Sequence, residues 1–475
     1  MRLATKVGYG VGQVSDGVKL TAFSIFLFFY YNQVLGLPGS LAGGAALLAL
    51  IVDAVSDPMV GQMSDRFKSR WGRRHPFMLA GALFFGFAMY FLFCPPAGLS
   101  ETSLFAWMLG WSICVRLLLT LFYVPHLSLG AEMVKGYHER TALIGYRVFF
   151  SYLGGLLASI IGFTIFFPPT VEFPNGMLNA ASYPAFGAFA GIFSAVTMLW
   201  SIFATRSAIP NLSQPILDPK AKHPLLAFIT VFATLRLHSF RILFFAILVF
   251  MTMVGVTQTL LVYNASYLFG FVPAQLALLT VAPLIGLIFA PMLAKKVSAR
   301  LDKRKALIIF VTVGAFFGFL PILMYLVGQF QPLSMNSRMV LVFCVTGISQ
   351  GFFISYNIIL DSMLTDTIDE HELNTGRREE GLFFAARSFA LKACFGFGAF
   401  FAGIALDIIK FPKGASPAEV PAEALINLAI LAGPVSMILM LLTIVIVWRY
   451  PLHESRHSEI LKEIEQRKAA EPAAS

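Results

Sequence analysis

Two aspartates four residues apart interrupt an apolar stretch that reads Ile51-Val52-Asp53-Ala54-Val55-Ser56-Asp57-Pro58. On an α-helix this spacing places both carboxylates on one face, a turn apart. An ionisable side chain surrounded by hydrocarbon costs at least ~2.5–3.5 kcal/mol and marks a functional site by default. Two like charges this close repel, which drives one carboxyl toward neutrality unless a cation joins them. Carboxylate oxygens suit hard cations, so the pair is a candidate site for a monovalent cation, Na+ or a proton. Pro58 cannot donate to Ala54, and the carbonyl it frees is a further oxygen ligand. The competing reading is a structural pair bridged to arginines on a neighbouring helix.

Other polar residues break apolar runs in the same way. Lys392 stands in Phe389-Ala390-Leu391-Lys392-Ala393-Cys394. A buried ammonium needs a carboxylate partner or sheds its proton. Asp53 or Asp57 would supply that partner from the opposite half and couple cation to substrate occupancy; a static bridge is the alternative. Arg116, Thr120 and Tyr123 form one stripe at i, i+4 and i+7. Asp16 and Lys19 lie three apart, Gln350, Asn357 and Asp361 share a face, and Gln258, Tyr263 and Asn264 cluster in sequence. Together they predict a polar cavity with aromatic walls for a sugar-like or amphipathic solute. Singly, each also fits helix-to-helix hydrogen bonding in lipid. Arg147 is a gating or binding partner for the acids of the second apolar run. Asp65, Arg66, Arg73 and Arg74 on one loop, and Asp369 with Arg377 on another, are candidate gate charges that hold one face closed.

Elements that position such residues must cross a membrane. Of 475 residues, 57% are hydrophobic and only 13% charged, against roughly 25% charged in soluble domains. Runs of about 20 apolar residues, the length of a transmembrane helix, occur twelve times. They cover 12–36, 41–63, 75–96, 103–133, 142–168, 181–205, 240–269, 274–297, 305–328, 336–364, 380–407 and 422–450. The polar stretch 206–239, with Pro210, Pro215, Pro219 and Pro224, reads as a linker. The expected organisation is therefore a six-helix half at 1–205, the linker 206–239, a second half at 240–450 and a tail at 451–475. Lys and Arg gather in alternate loops (Arg66 to Arg74, Lys135 and Arg140, Lys220 and Lys222, Lys295 to Lys305, Arg377 and Arg378). That asymmetry predicts both termini in the cytoplasm.

The same asymmetry accounts for the net charge of +10 without nucleic acid as a partner, because basic loops here are topological. No nucleotide-binding Gly-x-x-x-x-Gly-Lys-Ser/Thr loop is present, which leaves an ion gradient as energy source. The four cysteines, Cys94, Cys114, Cys344 and Cys394, stand singly in apolar runs and suggest neither a zinc site nor a disulfide frame. No nucleophile, base and orienter can be assembled from spacing, so the chain is not read as an enzyme. No cofactor is expected, and a monomer in the bilayer is.

The loop Gly61-Gln62-Met63-Ser64-Asp65-Arg66, then Trp71-Gly72-Arg73-Arg74, resembles the major facilitator signature, with a degraded counterpart at Leu301-Asp302-Lys303-Arg304-Lys305. The paired aspartates before Pro58, the run Ser69 to Arg74, the stretch Tyr123 to Glu132, Tyr146-Arg147, Thr375 to Arg378 and Lys392 are similar to the glycoside–pentoside–hexuronide:cation symporters. The resemblance implies an all-α membrane protein with twelve transmembrane helices in two six-helix pseudo-symmetric halves, resident in a bacterial inner membrane and working by alternating access. It implies a coupling cation on Asp53 and Asp57, a linking role for Lys392, and Arg147 as the matching arginine of the fifth span. A galactoside-binding aspartate of that family falls on Tyr123, and Asp16 aligns only loosely with the family's first-span sugar ligand, so galactoside specificity is not implied. Animal lysolipid symporters share the fold and the paired aspartates, which makes a lysolipid or other amphipathic anion the alternative solute. A non-transporting membrane sensor is the alternative from another class.

Overall fold

The computed structural model describes residues 2–134, 137–211 and 233–470, and most of the linker (212–232) lies outside the described residues. All regular structure among them is helical, as a bilayer demands of a chain whose backbone groups must pair internally. The spans are α1 (3–34), α2 (Gly39–Arg66), α3 (His75–Leu92), α4 (Glu101–Met133), α5 (Tyr137–Ile161, continued by Gly162–Phe166), α6 (Ser182–Thr205), α7 (His238–Thr259, continued to Leu268), α8 (Pro273–Ser298), α9 (Lys303–Leu326), α10 (Met335–Thr375), α11 (Glu380–Ile408) and α12 (Ala422–Trp448). Eleven of these are long and apolar enough to cross a membrane. The remaining one, α1, is broken at Gly12–Gln13 and passes into π turns at Ala22–Leu27 and Tyr30–Val34. A thirteenth helix, α13 (Glu454–Ala470), follows them. The fold is that of the major facilitators.

The chain divides into two compact units. The first holds residues 1–225 with 258–280 and 396–425. Within it α1 lies along α5 and α6, α3 packs on α4 and α6, and α2 packs on α4. Lipid gives no hydrophobic drive to helix pairing, so small residues set the close approaches. A β-carbon on Gly17 of α1 would lie 1.9 Å from the Ser151 carbonyl oxygen of α5, and only glycine permits that crossing.

The second unit holds 226–257, 281–395 and 426–475. There α10 packs on α8 and α9, and α9 on α12. Helix α10 runs to Thr375, well past the apolar run that ends at 364, and stops at Gly376, whose φ of 70° a glycine adopts without strain. Ion pairs carry the extension: Lys303 Nζ holds Asp366 at 2.7 Å, and Arg378 reaches Asp369 at 2.8 Å and Glu372 at 2.7 Å. Those carboxylates hold the Arg378 guanidinium charged to even higher pH than usual. Helix α13 docks on the same extension, with His457 Nε2 3.0 Å from Asp369 and with Ile460 and Ile464 buried in the unit's core.

Candidate functional site

The paired aspartates sit midway along α2, facing α4. From α4, the Thr120 hydroxyl oxygen lies 3.0 Å from Asp53 Oδ1 and 3.0 Å from Asp57 Oδ1. A hydroxyl carries one proton and can donate fully to only one of them. Three oxygens, two carboxylate and one hydroxyl, therefore meet at this point between α2 and α4. One turn away on α4, Arg116 Nη1 stands 3.5 Å from Asp53 Oδ2, with its guanidinium 5.0 Å above the Phe23 ring. Both Asp53 and Arg116 are buried. Arg116 thus neutralises part of the Asp53 carboxylate charge, and Asp57 is half-buried.

What aims α4 so accurately is a histidine that the sequence reading did not single out. His126, fully buried, stacks on Tyr9 at 4.2 Å and 7°. Its ring nitrogens meet Gln13 Nε2 at 3.0 Å, Ser201 Oγ at 3.1 Å and the Tyr9 carbonyl at 3.0 Å. One ring thereby ties α1, α4 and α6 together and fixes the rotation that turns Thr120 and Arg116 toward α2.

A second polar group lies in the same unit. Asp16 Oδ2 accepts from the Ser151 hydroxyl at 3.4 Å. Arg147 neighbours the Tyr9 hydroxyl, and Asp16, Arg147 and Asp57 lie within electrostatic reach of Tyr123. So Asp16, Tyr123 and Arg147 converge beside the aspartate pair, with Lys19 half-buried a turn along α1 from Asp16. Tyr263 is placed elsewhere: its hydroxyl bonds Asn32 Oδ1 at 2.5 Å, near the Gly36 end of α1. Asn264, next to it, is buried, and Gln258 half-buried.

In the second unit Asp361 is paired with Arg387 of α11, whose Nη2 stands 2.9 Å away. Asn357 bonds its own helix at the Phe353 carbonyl, 2.9 Å off, and Gln350 and Lys392 are half-buried. At the gate positions, Asp369 is held by Arg378, while Arg377 is exposed. In the first unit Arg74 meets Asp65 at 3.0 Å, and Arg73 meets Glu132 of α4 at 2.5 Å. Arg74 contacts Glu132 as well, and Arg66 is exposed. Glu132, Arg387 and His126 are the participants that residue-type reasoning missed. Arg387 carried the same signal as Lys392, an ionisable residue within an apolar run.

The family model described as MFS/sugar transport protein matches residues 8–454. The chain belongs to that family of transporters. Among curated relatives, a putative glycoside/cation symporter of Escherichia coli strain K12 is 24% identical over 100% of this chain and 97% of its own length. The glucuronide carrier protein homolog of the same organism is 24% identical over 98% and 96%. A solved D-xylose–proton symporter shares 13% identity, a TM-score of 0.61 and coverage of 94% and 98%, which supports the fold. The protein is a membrane transporter and not an enzyme, in agreement with the resemblance drawn from its motifs.

Proposed function

We propose that this protein is a cation-coupled symporter of a glycoside, pentoside or uronide, working by alternating access in a bacterial inner membrane with both termini in the cytoplasm. The observation that carries the reading is the three-oxygen cluster of Asp53, Asp57 and Thr120. A cation or proton bound there removes the repulsion of two neighbouring carboxylates, and its release restores it. Occupancy thus changes the electrostatics of the adjoining Tyr123, Arg147 and Asp16 group, where the solute's hydroxyl or carboxylate groups would bind. Coupling of this kind is a shared free energy and acts in both directions. Relatives named for glycosides and glucuronides support the solute class.

In this account 1–205 and 240–450 are the two halves that rock, and Lys392 links cation and solute occupancy from the second half. Asp361, with Asn357 and Gln350, contributes polar lining there. The Asp65–Arg74 and Asp369–Arg378 pairs hold the cytoplasmic ends.

A thermal-shift screen of the purified protein in detergent tests this reading. Sugars, uronides and lysolipids are each added with and without sodium, at two pH values. A ligand raises the melting temperature by mass action. A glycoside or uronide whose shift grows with sodium or with acid supports the proposal. A shift from lysolipid alone, or one indifferent to cation, contradicts it.

A further inference from the structure

Helices expose unpaired backbone N–H groups at their N-termini, and three of the long helices here cap their own. Ser100 caps α4, Asp302 caps α9 and Ser334 caps α10 through their side chains. Helix α2, which carries Asp53 and Asp57, opens on Pro38, which offers no side-chain cap. Its cap arrives from α11: Asp407 Oδ1 accepts from Gly39 N at 2.8 Å and Oδ2 from Ser40 N at 2.7 Å. A carboxylate on two such donors makes charge-assisted hydrogen bonds and also meets the positive end of the helix dipole.

Beneath that contact the two helices approach to backbone distance at Gly39 and Gly43. A β-carbon on Gly39 would lie 2.4 Å from the Gly403 carbonyl oxygen, and one on Gly43 would lie 2.5 Å from that of Ala399. Small residues permit this close approach, Gly396 faces Leu47 and Leu50 further along, and polar groups close the end. Around Asp407, Gln33 accepts from Gly414 N at 2.9 Å, Gly36 accepts from Lys413 Nζ at 3.0 Å, and Tyr263 and Tyr267 bond Asn32 and Gln33. These residues all belong to the first compact unit.

We propose that Asp407 is a detachable cap, the latch that closes the Gly36 side of the transport path by holding the N-terminus of α2 against α11. That side is the outer face in the orientation proposed above, and the proposal rests on alternating access. Releasing Asp407 breaks two hydrogen bonds, and water readily satisfies both the carboxylate and the freed N–H groups. The closure is firm yet reversible, and it clamps the helix that bears the two aspartates.

The test uses full-length protein in intact cells, with its four native cysteines replaced by serine. A reporter thiol is introduced by Phe28→Cys, a turn below Asn32 and beside Tyr263, whose ring centroid is 6.3 Å from that of Phe28. Its rate of reaction with a membrane-impermeant maleimide is then measured. Asp407→Ala should raise that rate about tenfold or more, as expected for the loss of two charge-assisted bonds, and Asp407→Asn, which keeps one acceptor, should raise it less. Adding Pro38→Asp to Asp407→Ala supplies a local cap, which should restore thermal stability and leave labelling fast. An unchanged rate in both Asp407 variants overturns the latch. Labelling slowed again by the local cap also overturns it, because Asp407 would then be only a helix cap. The labelling needs neither solute nor gradient, so fast labelling without cation-driven uptake would count against symport and leave the latch standing.

Discussion

Thr120 on α4 and Asp57 on α2 meet through oxygens 3.0 Å apart, and the same hydroxyl stands 3.0 Å from Asp53. Shape alone does not require a hydroxyl there. Replacing Thr120 with valine keeps the volume and removes the oxygen. The expected result is a loss of cation affinity of about tenfold, near 1.4 kcal/mol, with normal protein levels and with recovery in Thr120→Ser. The sodium or proton dependence of ligand-induced stabilisation measures it. An unaltered dependence would show that Thr120 only packs.

Arg116 acts on the same pair with the opposite sign. Its Nη1 lies 3.5 Å from Asp53 Oδ2 and competes with any added cation for that carboxylate. Arg116→Met should tighten cation binding by about tenfold or more, since removing a resident positive charge strengthens attraction for another. Titration of the cation response in detergent reads this directly. Weaker cation binding in the variant would assign Arg116 to scaffolding.

Lys392→Ala should abolish accumulation against a gradient and leave solute exchange across the membrane measurable. Exchange needs only the binding and rocking steps, whereas accumulation needs them tied to the ion. Counterflow and uptake assays on the same vesicles separate the two. Wild-type accumulation would remove Lys392 from the coupling scheme.

The docked tail makes a prediction about stability. Ile460 of α13 is 1% exposed, within a cluster that includes Ile368, Leu364 and Met363 of α10. Ile460→Ala should cost about 2–5 kcal/mol locally and lower the apparent melting temperature. Leu461, 41% exposed on the same helix, should tolerate alanine. Equal effects of the two changes would mean that the tail is not packed as described.

Eleven crossings were readable because a bilayer imposes a minimum apolar length on each. Their ends were not, where polar contacts extend a helix beyond hydrocarbon. Helix α1 begins at residue 3 instead of 12, and α10 continues from 364 to Thr375 on the strength of Lys303, Arg378 and His457. In the segment 451–475, expected only as a tail, Ile460 and Ile464 lie four apart and mark a buried helical face. The paired aspartates announced themselves by spacing and depth. Glu132, His126 and Asp407 did not, because their partners lie 58, 113 and 368 residues away, and no local pattern encodes such pairings. Tyr263 illustrates the converse: polar residues inside a span can serve a helix contact, and its hydroxyl is on Asn32.

The central claim is that Asp53 and Asp57 hold the coupling cation. It is tested most directly by gradient-driven uptake of a radiolabelled methyl glucuronide, or of whichever sugar the stability screen identifies, into right-side-out vesicles. Wild type is compared with Asp53→Cys and Asp57→Cys under imposed sodium and proton gradients, with membrane levels measured in parallel. The account predicts accumulation in wild type under one of the gradients and none in either variant at equal protein level. Accumulation at the wild-type rate in either variant would contradict it.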